Sequence, residues 1–112
     1  MNFETTQTNN KAIVKTLVDK LDASNAPELK SELLILNKNG VNTIVIDMIA
    51  TKYCDSSGLS AVLAANRLCK DSSGQFVLCG LNDNVANMIK IAQLDKVFSI
   101  VPSQTEALAL IK

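Results

Sequence analysis

Apolar residues cluster in separate stretches of this chain, and their spacing changes from one stretch to the next. Phe3 to Gln7 and Ala12 to Leu17 flank Asn9-Asn10, which predicts two strands joined by a short turn. Leu29, Leu33 and Leu36 then recur on one helical face. That helix is opened by the cap-type side chains and early proline of Ser24-Asn25-Ala26-Pro27 and stopped by Asn39-Gly40. Val41, Ile44, Val45 and Ile46 lead to Asp47, and so continuous an apolar run predicts a strand buried on both faces. Helical spacing returns with Leu59, Val62, Leu63 and Cys69, where Ala61, Ala64 and Ala65 permit close packing and Arg67, Lys70 and Asp71 finish in solvent. After the turn Ser72-Ser73-Gly74, Phe76-Val77-Leu78-Cys79 reads as another buried strand. Asn82 or Asp83 caps a third helix with Val85, Met88, Ile89 and Ala92 inside. Val97 to Val101 forms a last strand, and Ser103-Gln104-Thr105-Glu106 fits a capping box opening a terminal helix docked by Leu108 and Ile111.

This order predicts an α/β fold with a mixed β-sheet of about four to five strands packed with about four helices. The 112 residues are read as a single domain, 1–112. With 4% aromatic residues and no Trp, the core must come from Leu, Ile, Val and Ala, and platforms for stacking bases are missing. Eleven basic and eleven acidic residues cancel and are scattered, so neither nucleic acid nor an anionic membrane is expected as a partner. The first residues resemble no secretory signal, and no apolar run approaches the roughly 20 residues of a membrane span, so a cytoplasmic location is expected. Cys54, Cys69 and Cys79 show no C-x-x-C spacing and His is absent, which suggests neither a disulfide framework nor a metal site, and no cofactor is expected. Cys69 and Cys79 read as buried small hydrophobes, whereas Cys54, beside a loop, is placed for partial exposure.

Chemistry concentrates in Asp55-Ser56-Ser57-Gly58-Leu59, where the central strand gives way to the second helix. Crevices beyond the carboxyl ends of strands are where open α/β sheets gather function. A serine nucleophile is excluded, because G-x-S-x-G is absent and the chain has no His to act as base. Asp47 and Asp55 as paired catalytic carboxylates are less favoured than a strand end and a loop or cap residue. Gly58 stands alone with no G-K-[ST] after it, so no phosphate-cradling loop is formed. Asp47 mimics a receiver's phosphoacceptor, but no acidic pair for magnesium follows the strand ending at Leu17. Ser56 is therefore read as a substrate, not a catalyst, with a helix N-cap as its plain structural role. A phosphoserine carries roughly −1.5 to −2 charges, which a helix N-terminus tolerates and a docking partner does not. Gly58 is assigned close backbone approach or a special dihedral, with plain tolerance of a glycine within the first helical turn as the alternative.

The chain resembles STAS domains of the anti-sigma factor antagonist family along nearly its whole length. The resemblance is carried by Ile44-Val45-Ile46-Asp47, then Tyr53-Cys54-Asp55-Ser56-Ser57-Gly58-Leu59, then Ala61-Val62-Leu63, matching the family's strand, D-S-[ST]-G-L loop and helix. Asp95-Lys96-Val97-Phe98 and Ser103 to Ala107 are similar to it with less specificity. The likeness implies that Ser56 is the phosphoacceptor and that Asp22, Asp55, Ser56, Ser57, Gly58 and Leu59 form the partner-binding region. It further implies an anti-sigma factor serine kinase, bound by the unphosphorylated protein so that a sigma factor is released, and a PP2C-type serine phosphatase that resets the cycle. Leu21-Asp22-Ala23 keeps the family pattern, but a glycine usual ahead of it is replaced by Val18 or a neighbour. The alternative is a STAS subunit of a stressosome-like assembly or a lipid-transport ATPase complex, without a phospho-switch.

Overall fold

A strand that is apolar at every position must lie between two covering layers, and Thr43–Asp47 (β4), buried throughout, is the middle strand of a five-stranded sheet. The computed structural model describes residues 1–111. Phe3–Thr8 (β1) and Lys11–Thr16 (β2) form the antiparallel hairpin, with Asn9 of its turn at φ +57°, a conformation Asn tolerates. From β2 onward every pairing is parallel: β4 joins β2, Phe76–Cys79 (β6) joins β4, and Ser99–Val101 (β7) joins β6. The order β1-β2-β4-β6-β7 adds each parallel strand on the same side. Right-handed crossovers then place the connecting helices Ala26–Lys38 (α1), Ser56–Asp71 (α2) and Asp83–Ile91 (α3) over one face.

Alternate strand residues divide the core accordingly. Val14, Ile44, Ile46 and Leu78 pack with Leu29 and Leu33 of α1, Val62 and Ala65 of α2 and Val85 and Ile89 of α3. Val45, Val77 and Cys79 face the other way, onto Ala107 and Ile111 of the terminal helix Gln104–Leu110 (α4) and its cap.

Several expectations are corrected in detail. The last strand begins at Ser99, not Val97: the amides of Val97 and Phe98 bond to the Leu94 carbonyl in a turn, and buried Phe98 meets Phe76 edge-on with centroids 5.8 Å apart. Ala92 is exposed because α3 ends at Ile91 and Ala92 only caps it. Leu108 remains 46% exposed, and Ala107, one turn before Ile111, takes the inner position instead. Of the capping box, the Glu106 amide donates to Ser103 Oγ at 3.4 Å. Two strands without any sequence signal, Lys20–Leu21 (β3) and Tyr53–Cys54 (β5), pair in parallel as a small second sheet.

Candidate functional site

That small sheet assembles the site. Leu21 lies opposite Cys54, so the residues that follow, Asp22 and Asp55, emerge side by side and deliver the starts of α1 and α2 to one end of the molecule. The Asp55 amide donates to the Leu21 carbonyl at 3.2 Å, locking the two connections together.

Asp55, not Ser56, is the N-cap of α2. Its backbone is extended, and its Oδ1 accepts the Gly58 amide at 3.0 Å while its carbonyl accepts the Leu59 amide at 2.9 Å. Ser56 is consequently the first helical residue, exposed, and Ser57 beside it is half-buried. The amides of a first helical turn lack intrahelical partners, and Asp55's carboxylate takes that of Gly58. Gly58 serves close approach: a Cβ there would collide with the Leu21 carbonyl oxygen and lie 2.6 Å from Cys54 Sγ. Leu59 is 6% exposed and turned into the core, so together with Gly58 it supports the surface from beneath.

On the α1 side the cap-type residues have another use. Asn25 makes no side-chain cap; its Oδ1 accepts the Asp22 amide at 3.0 Å and its Nδ2 donates to the Lys20 carbonyl at 2.9 Å. Asp22 Oδ1 accepts both the hydroxyl of Ser24 at 2.6 Å and its amide at 3.0 Å. These bonds hold the Asp22 carboxyl below its ordinary range, because they favour the charged form.

Between the two helix starts runs an open groove of about 490 Å³ lined by Ala23, Ala26, Pro27, Lys30, Ser56, Ser57 and Ser60. Sequence reasoning did not single out Lys30 or Ser60. Ser60's place one helical turn after Ser56 was a readable signal, whereas Lys30's approach depends on how α1 packs on α2. Lys30 Nζ donates to Ser60 Oγ at 3.1 Å.

The expectation of partial exposure for Cys54 is overturned. It is fully buried between β3 and α2, and burial, then the neighbouring negative Asp55, pushes its thiol up to about 12. Such a thiol is inert near neutral pH. Among the described residues no group of His, Cys, Asp or Glu is arranged to hold a metal ion. None of the described helices is long and apolar enough to cross a membrane.

The mixed sheet, the D-S-S-G-L turn opening α2 and the second loop beside it all fall within residues 3–107, which match the STAS domain profile. The chain belongs to the STAS domain family. It is 27% identical over 100 residues to BtrV of Bordetella bronchiseptica, whose name assigns it provisionally as an anti-sigma factor antagonist, covering 89% of this chain and 86% of that one. It is 29% identical over 82 residues to the anti-sigma-B factor antagonist of Listeria monocytogenes, covering 72% and 71%. Its fold is that of the anti-sigma factor antagonist SpoIIAA: the unphosphorylated form superposes with a TM-score of 0.82 at 18% identity, covering 95% of this chain and 92% of that one. The phosphorylated Bacillus form gives 0.77 at 18%, covering 98% and 99%.

Proposed function

We propose that this protein is an anti-sigma factor antagonist acting in the cytoplasm, whose binding is switched off by phosphorylation of Ser56. The unphosphorylated chain engages a serine-kinase anti-sigma factor through the end of the molecule formed by Asp22, Asp55, Ser56 and Ser57, with Gly58 and Leu59 fixing that surface. A sigma factor is thereby released. The kinase then phosphorylates Ser56 with its own ATP, and a PP2C-type phosphatase restores the hydroxyl. The observation that carries this reading is the exposed hydroxyl of Ser56 on the first turn of α2, open to another protein's active site and making no hydrogen bond among the described residues. This reading asks the chain to supply an acceptor and a docking surface, and no catalytic group.

The added charge acts at the interface more than on the fold. The free amides of the first turn favour an anion there, while a partner closing over the loop has to desolvate the phosphate. The test is incubation with ATP and a serine-kinase anti-sigma factor from the same organism, followed by intact-mass measurement. One phosphate is expected on the wild type and on Ser57→Ala, and none on Ser56→Ala. An unmodified wild type, or phosphate persisting on Ser56→Ala, overturns the proposal. Ser56→Asp is expected to fold normally and bind the partner at least tenfold more weakly than Ser56→Ala; equal affinity rules out charge as the switching agent.

A further inference from the structure

Lys30 is the cation of the groove, and its described partner is only a neutral hydroxyl. It stands on the second turn of α1, exposed, and reaches across to Ser60 on α2. Ser56 lies one turn before Ser60, so their Cβ atoms are roughly 6 Å apart on one helix face. Both serines line the same groove as Lys30. The floor on the α1 side is Ala23, Ala26 and Pro27, whose short side chains leave about 490 Å³ of open space. A phosphoryl group fits there easily, since a water molecule's share of liquid is only about 30 Å³.

We propose that Lys30 is the internal counter-ion of phosphoserine 56, so that phosphorylation replaces the Lys30–Ser60 hydrogen bond with an ion pair joining α1 to α2. This rests on Ser56 being the phosphoacceptor. A flexible four-carbon stem lets the ammonium re-aim by one helical turn, and a dianion adds to the hydrogen bond a charge attraction that a neutral hydroxyl does not offer. The phosphate is then held against α1, and the phosphorylated protein shows its partner an anchored, partly neutralised group. The other charges beside these helix starts include the carboxylates of Asp22, engaged with Ser24, and Asp55, engaged with the Gly58 amide, and the Lys20 ammonium, whose charge acts on Asp22.

The test installs phosphoserine at position 56 during translation, without any kinase, in the wild type and in Lys30→Met. The second ionisation of the phosphate, ordinarily near ~6, is followed by ³¹P NMR titration. A nearby cation favours the dianion, so Lys30→Met is expected to raise the midpoint by roughly half a unit, and Lys30→Arg to restore it. The difference should shrink in high salt, as for any exposed pair. Asp22, Asp55 and Lys20 are common to all three proteins, which leaves the difference to residue 30. Identical midpoints in wild type and Lys30→Met overturn the ion pair, whatever that substitution does to partner binding. A kinase that leaves Ser56 unmodified defeats the phosphorylation switch, while this titration still gives its own answer.

Discussion

At the scale of single residues, Asp55 and Gly58 shape the loop by different physics. Asp55 satisfies one orphan amide, so Asp55→Ala is expected to cost about 1 kcal/mol in urea unfolding and Asp55→Asn, an equally good cap, much less. Gly58 presents two opposed terms. Alanine in a helix gains about 1 kcal/mol over glycine, but here its methyl would enter the backbone carbonyl of Leu21, which cannot rotate aside. Overpacking of that kind costs roughly 1–3 kcal/mol, so Gly58→Ala is expected to destabilise; a midpoint at or above the wild type would show that β3 yields. That Gly58 served either approach or an unusual dihedral was readable from the chain. The atom it makes room for was not, because Leu21 arrives through a two-residue strand.

Elements were legible in proportion to how many periods they contain. α1, α2, β4 and β6 show repeated apolar positions, and their punctuation by Pro27, Gly40 and Ser72-Ser73-Gly74 lies where the backbone turns. β3 and β5 have two residues each, too short for any alternation to register, yet they bring the two loops of the site together. What holds them is partly a buried hydroxyl relay before each strand. Thr51 Oγ1 donates to the Val18 carbonyl at 2.8 Å, so its short 2.6 Å contact with Thr16 Oγ1 is one in which Thr16 donates. Lys52 and Tyr53 then hang their amides on the Asp19 carbonyl. Thr51→Val removes the donor to Val18 while keeping the shape, and an unsatisfied buried acceptor costs about 1–3 kcal/mol. Amide exchange at Lys52, Tyr53 and Asp55 is expected to quicken in Thr51→Val and to recover in Thr51→Ser. Unaltered protection at those three amides would mean that the strand pairing stands without the relay.

Across the whole molecule, three thiols buried at separate places in the core give the fold a common response to alkali. Cys54, Cys69 and Cys79 are all inaccessible, and burial is the leading cause that pushes them up to about 12, 11 and 12 from an ordinary 9.0. Asp55 adds to the effect on Cys54 and Asp47 to that on Cys79, while a hydrogen bond involving Ile44 opposes it at Cys69. The sequence identified Cys69 and Cys79 as core and misjudged Cys54, since the glycine-permitted contact of α2 with β3 that seals it is a tertiary fact. Well below pH 9 the thiols are protonated in both native and unfolded chains and contribute no slope. Between 9.0 and about 11 the unfolded chain releases protons that the native one retains, so stability falls as pH rises through that window. Each thiol contributes at most about 1.4 kcal/mol per pH unit. Urea midpoints measured at pH 7.5, 9 and 10 should therefore decline above pH 9, and less steeply in Cys54→Ala and Cys79→Ala. Comparing slopes separates this effect from the cavity each substitution leaves. Thiol-reactive dye at pH 8 should label the folded protein only as fast as it opens, and immediate reaction of one equivalent, or a slope untouched by both substitutions, would contradict the sealed core on which the α2 turn rests.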